Sequence, residues 1–219
     1  MGRANLGRQQ LRGAFDVSSP PKTRIDVAPA EAEDTRARVR NVDPKTLSPH
    51  SEIANARHAQ QLVDLLSDPA VSGPIYDLPR PINLENVSAW IAQAEAERRA
   101  GTGLLFVTLN DAGQVVGYSK FTIWPDLASG EIAGGKRADQ QNSGQGSAGA
   151  GRSFGWMFEV LGLRLIGVTA ALNNVRSARV IEAAGFTPMG ERDSVRPDGS
   201  IRRSRYWELS QETWASLTS

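Results

Sequence analysis

Between Gln141 and Leu163 the chain reads QNSGQGSAGAGRSFGWMFEVLGL, a polar glycine-rich turn that runs straight into a stretch of helical apolar spacing. That combination is suited to gripping an anion. The first N–H groups of a helix have no partner inside it, and the aligned peptide dipoles add partial positive charge at the same end. Gly144 and Gly146 carry no side chain to hold a diphosphate away from those N–H groups, and they accept positive φ without strain. Ala150, Phe154, Met157 and Leu161 then recur at helical spacing and give the helix a face to bury. Gly149, Gly151 and Gly155 in the same helix together forgo about 2.5 to 3 kcal/mol relative to alanine. Such a loss predicts a close neighbour along that side.

Three phosphate-binding patterns compete for the turn. A Walker loop needs Lys-Ser or Lys-Thr after its last glycine, where Ser147-Ala148 stands, so that pattern fails. A dinucleotide fingerprint fits the letters Gly144, Gly146 and Gly149. It also requires a buried strand before the turn and an acidic residue ending the next strand. Residues 136–143 are polar and 165–171 carry no acid, so both requirements go unmet.

The third pattern fits in sequence and in context. Gln141, Gly144 and Gly146 match the Q/R-x-x-G-x-G/A signature of the GNAT superfamily of N-acetyltransferases. The residues that follow resemble that family in order and spacing: Leu161-Gly162-Leu163 closing the helix, a strand, Asn174-Val175-Arg176-Ser177, a short helix, and Gly185-Phe186. The N-x-x-S with its later G-F is similar to the RimJ/RimL branch, which acetylates protein N-termini and many small amines. The resemblance implies an α+β fold: a mixed central sheet of about seven strands with flanking helices, whose fourth and fifth strands run parallel and splay apart. The slot between them would take the pantetheine arm as a surrogate strand. Acetyl-CoA is then the co-substrate and a primary amine the acceptor, attacking the thioester directly.

Residue roles follow from the same resemblance. Lys136, Arg137, Gln141, Gly144, Gln145, Gly146, Ser147, Ala148 and Asn174 would hold the coenzyme, with an N–H near Lys136 polarising the thioester carbonyl. Gln141 replaces the commoner arginine, and Lys136, Arg137 and Arg179 would restore the lost charge. Gly134 and Gly135 suit close backbone approach. Glu131 is the candidate base, directly or through water; its other reading is a solvated glutamate paired with a cation. Ser177 is the candidate acid toward sulfur, since Ile181 stands where many superfamily members place a tyrosine. Its other reading is a helix-start hydroxyl. Tyr76 and Trp90 are candidate acceptor contacts, Trp90 having core packing as its alternative. Arg176 and the charge-rich residues 191–205 read as solvated surface.

The elements that must position these residues can be read in order. Residues 1–33 lack a sustained apolar period and read as a flexible extension, or as a transit peptide, ahead of one acetyltransferase domain over 34–219. Alternation in TRARVRNV predicts a first strand over 35–42. Ile53, Leu62, Leu65 and Leu66 predict a helix over 53–66 that carries His58, and four prolines make 67–81 a loop. Asn83 and Gly101 bracket a second helix. Residues 104–109 and 115–124 predict a hairpin around Asn110-Asp111-Ala112-Gly113. Residues 131–136 predict the fourth strand, 165–171 the fifth, 175–184 a short helix, and 186–192 with 203–209 a closing hairpin around Pro197-Asp198-Gly199.

Composition excludes several other classes. The 219 residues contain no cysteine, so there is no disulfide, thiolate metal site or cysteine nucleophile. His50 and His58 have no metal-ligand spacing, so no metal is expected. A formal charge of +1 gives no reason to expect nucleic acid or an anionic membrane as partner. With no apolar run of membrane-spanning length, the expectation is a soluble cytoplasmic protein acting on acetyl-CoA and an amine; a homodimer is left open. A non-catalytic acyl-CoA sensor of the same fold is the rival from another class.

Overall fold

A computed structural model describes residues 18–137, 139, 145–196 and 198–218, with 145–148 described through their backbone alone. Seven strands form one sheet in the order β1-β2-β3-β4-β5-β7-β6. They are β1 (Ser51–Ile53), β2 (Gly103–Leu109), β3 (Val115–Trp124), β4 (Ser129–Lys136), β5 (Leu165–Ala171), β6 (Thr187–Val195) and β7 (Ile201–Ser210). Every neighbouring pair is antiparallel except β4 and β5. The helices are α1 (Pro29–Asn41), α2 (Ala59–Leu66), α3 (Pro69–Ser72), α4 (Leu84–Ala100), α5 (Gln145–Glu159), α6 (Val175–Ala183) and α7 (Gln211–Thr218). Among the described residues no helix is long and apolar enough to cross a membrane.

Period-two alternation along the central strands divides two cores. On β2, Leu104 and Phe106 face one core while Leu105 and Val107 face the other. The first core holds α5 through Phe154 and Met157, with Leu161 just past its end, together with α1, β5 and α6. The second holds α2 and α4 through Leu62, Leu66, Val87 and Ile91, together with Val71 and Leu78 of the connecting segment. Asn83 caps α4, its Oδ1 accepting from the Asn86 N–H at 2.8 Å, and Gly101 ends the helix at φ +77°.

Four expectations need correction. Residues 35–41 are helical, not a strand, because Ala32, Thr35 and Val39 bury one face at helical spacing. Pro29 opens that helix, which crosses the expected domain start at 34. Residues 53–66 are not one helix: Ile53 ends β1, paired with Phe106, and a turn capped by Asn55 and His58 precedes α2. The loop over 67–81 contains one helical turn, α3, with Pro69 in its first position. Finally, α7 follows β7, where no helix was expected.

That last helix explains two of the costly glycines. A Cβ on Gly155 would meet the Trp214 ring at 3.3 Å, and one on Gly151 would meet it at 3.8 Å. Trp214 lies in the shallow track these glycines leave on α5 and also contacts the Phe154 and Phe158 rings. Trp214→Ala should cost about 2 kcal/mol, part of the ~3 to 5 kcal/mol of a fully buried aromatic because Trp214 is half-buried. Urea unfolding of the variant beside Phe158→Ala, whose loss should be larger, tests the ranking.

Candidate active site

Strands β4 and β5 pair over three positions only: Ser129 with Leu165, Gly130 with Ile166, and Glu131 with Gly167. Beyond Glu131, β4 stays on β3 as far as Lys136, and β5 stays on β7 as far as Ala171. The two strands therefore part at Glu131 and leave a fork whose inner edges carry unpaired ladder groups. Gly130 helps fix this geometry. A Cβ there would meet Leu163 at 2.9 Å and Met157 at 3.1 Å, so the bare backbone lets α5 and its C-terminal turn lie close on β4.

Glu131 sits at the base of the fork and is 5% exposed. Thr169 Oγ1, on β5, donates to its Oε1 at 3.2 Å, and the Ser18 side chain lies beside it. No ion pair to it occurs among the described residues, so the reading as a solvated, cation-paired glutamate is overturned. Burial first, and the Asp77 carboxyl second, push its pKa up from 4.5 to about 7, against the opposing pull of Arg192 and of the two hydroxyls. A carboxylate balanced near neutrality inside a fork is placed to exchange protons.

Tyr76 is brought to the same place. It is buried, Ser18 lies beside it as it does beside Glu131, and the Arg202 guanidinium lies 4.5 Å from its ring centroid. Burial raises its hydroxyl pKa, as does the Glu131 charge. Trp90 is elsewhere: it packs in the second core, edge-on to Tyr118 with centroids 5.5 Å apart, so its core reading holds. Asn174 caps α6, its Oδ1 accepting from the Ser177 N–H at 3.1 Å. Asn174 also lines a cleft of about 690 Å³ between Gly73–Pro74, the end of β5, and Arg196 and Arg202. Ser177 is half-buried on the first turn of α6, just past the C-terminal end of β5.

The helix α5 begins at Gln145, so Gln145, Gly146, Ser147 and Ala148 supply the open N–H groups of its first turn. Gln141 and Gly144 lie outside the described residues. Lys136 Nζ stands 3.7 Å from the Cβ position of Gly149, which brings a cation to that helix start. Arg137 is bidentate to Asp139 at 2.8 Å for both bonds, so its charge is already matched. Gly134 and Gly135 remain in the β3 ladder. A Cβ on Gly135 would meet Val71 at 3.0 Å, so its bareness also serves packing against α3.

Sequence reasoning missed Asp77, Arg192, Arg202 and Glu208. Asp77 Oδ1 is buried without a partner, as is the Tyr118 hydroxyl, and burial raises the Asp77 pKa. The charge-rich stretch 191–205 divides by parity. Glu191 and Asp193 pair with Arg203 on the outer face, at 2.9 Å each, while Arg192 and Arg202 turn toward Glu131 and Tyr76. Alternation was the available signal. No group of side chains able to hold a metal occurs among the described residues.

A fork in a parallel strand pair, a helix start beyond it and a buried carboxyl at its base make an arrangement suited to acyl transfer. Residues 52–187 match the family model described as an acetyltransferase (GNAT) domain, and the chain belongs to that family of acetyl-CoA-dependent acetyltransferases. Solved structures share the fold. The ribosomal-protein-S5-alanine acetyltransferase of Vibrio fischeri is 15% identical over 75% of this chain and 93% of its own, with TM-score 0.62. Mycobacterium smegmatis RimJ in complex with CoA-disulfide is 21% identical over 77% and 87%, with TM-score 0.61. The aminoglycoside acetyltransferase AAC(6')-Ib, in complex with coenzyme A and kanamycin, is 16% identical over 77% and 98%, with TM-score 0.60. A search of curated proteins finds no match to this sequence.

The raised pKa of Glu131 makes stability depend on pH. Its folded pKa of about 7 lies above the unfolded 4.5, so its contribution is fully favourable below 4.5 and is lost as pH rises through 7. Glu131→Gln should therefore match the parent chain near pH 4 and exceed it at pH 8 by on the order of 3 kcal/mol. Denaturant midpoints across that range, rising for the variant relative to the parent, are the measurement.

Proposed function

We propose that this enzyme transfers the acetyl group of acetyl-CoA to a primary amine by direct attack, with Glu131 as the base and Ser177 as the acid toward the leaving sulfur. The observation that carries the reading is the buried carboxyl of Glu131 at the fork. A direct attack needs the amine neutral and the thiolate released, so one proton must leave the nitrogen and one can be given to sulfur. The residues present fit the coenzyme. The α5 N–H groups from Gln145 to Ala148, preceded in sequence by Gln141 and Gly144, suit its diphosphate, with Lys136 beside them and Arg137 available if it leaves Asp139. The unpaired edges of β4 and β5 suit its amide-rich arm, and Asn174 lies at the end of β5 to meet it.

The base strength favours one kind of acceptor. At pH 7 an α-ammonium with pKa ~7.7 to 8.0 costs about 1 to 1.4 kcal/mol to deprotonate, and a lysine ammonium about 4.6 kcal/mol. A carboxylate of pKa about 7 is matched to the first. We therefore take a protein or small-molecule α-amine as the preferred acceptor.

In thiol-release assays, kcat/KM should rise with pH through an inflection near 7, and Glu131→Gln should lower kcat by about 10² to 10⁴-fold with little change in the KM for acetyl-CoA. Unchanged turnover in that variant would falsify the assignment. Ser177→Ala should lower kcat by at least about tenfold for acceptors whose rate is limited by thiolate departure; normal turnover would mean that the sulfur leaves without it.

A further inference from the structure

Residues 18–23 precede α1 and lie outside the family match at 52–187. They cross the β6–β7 hairpin and reach Glu131, held mainly through their own backbone. Arg192 donates to the Ser19 carbonyl at 2.9 Å and to the Pro20 carbonyl at 3.1 Å. Glu208 accepts from the Lys22 N–H at 2.6 Å, and both of its oxygens accept from the Thr23 N–H at 3.3 Å. Tyr206 ties these two side chains together. Its hydroxyl donates to Glu208 Oε1 at 2.7 Å, and its ring lies 3.5 Å from the Arg192 guanidinium. Lys22 Nζ reaches the Met189 carbonyl at 2.6 Å.

A guanidinium that takes carbonyls and a carboxylate that takes N–H groups, set side by side on one tyrosine, suit the backbone of an extended chain. Glu208 is 4% exposed, and a buried carboxylate is tolerated only when hydrogen-bonded; two of its three donors come from the segment. Pro20 and Pro21 bring no N–H of their own that would need a partner. At the leading end, Ser18 is buried with its side chain beside Glu131 and Tyr76. A hydroxyl thus rests on the carboxyl that the acceptor nitrogen must reach.

We propose that Arg192, Tyr206 and Glu208 form a polypeptide-binding trough that residues 18–23 fill in cis, so that the chain's own segment competes with the acceptor for access to Glu131. The functional consequence rests on Glu131 being the acceptor-side base; the binding does not. The segment runs from Ser18 at Glu131 away toward Glu208, so a free peptide lying in the same direction brings its α-amine to Glu131. Because the contacts are mostly to main-chain atoms, the trough reads chain direction more than side-chain identity.

The test uses the full chain with Lys22→Pro, which removes the Lys22 N–H and its side-chain bond while leaving the trough intact. The probe is a hexapeptide with the sequence of residues 18–23, a free amino end and a dye at its carboxyl end. Its binding is followed by fluorescence anisotropy without acetyl-CoA. Lys22→Pro should bind it at least tenfold more tightly than the parent chain, and adding Arg192→Ala should abolish the gain; Arg192→Lys serves that arm if the alanine variant does not fold. Equal affinity in the parent and Lys22→Pro chains, or binding that survives the loss of Arg192, overturns the proposal. Turnover is not read, so the result is independent of the Glu131→Gln kinetics, and either idea can fail alone.

Discussion

Three residue pairs between two parallel strands decide the rest of this molecule. If β4 and β5 stayed paired to their ends, every inner ladder group would be satisfied and there would be no slot for an amide-rich ligand. Because pairing stops at Glu131 and Gly167, Glu131 stands at the last paired position before the strands part. Its raised pKa follows from that placement, since burial excludes water and a second carboxyl, Asp77, lies near enough to oppose its charge.

The fork holds its shape because each strand is fixed on its outer side. β4 has eight ladder partners on β3, and β5 has seven on β7, so neither edge drifts inward to close the gap. The helix α5 bridges them by packing Met157 and the following Leu163 against the bare Gly130. Trp214 in turn holds the outer face of α5, so the helix whose first turn suits a diphosphate is clamped well beyond that turn.

What the sequence made legible was local chemistry. The Asn83 cap, the Asn110–Gly113 hairpin and strand β5 all have signals within a few residues, and all stand where expected. Thr35 and Val39 misled because a spacing of four satisfies strand and helix periods alike; Ala32, three residues earlier, breaks the tie and lay in a stretch read as a tail. The burial of Glu131 had no local signal at all. EIAGGK looks solvated, and the groups that seal it, Ser18, Asp77 and Thr169, come from three distant parts of the chain. The parity of Arg192 and Arg202 was masked because charges occupy both faces of the same hairpin.

The sheet's two hydrophobic cores have a consequence for how the chain tolerates change. Side chains of α5 and α6 draw on one core, while α2, α4 and the 67–81 connection draw on the other. Energetic effects of substitutions in separate clusters add with little cross-talk. A substitution that loosens α2 or α4 should therefore leave the packing of α5 on β4 nearly unchanged, and the reverse holds as well.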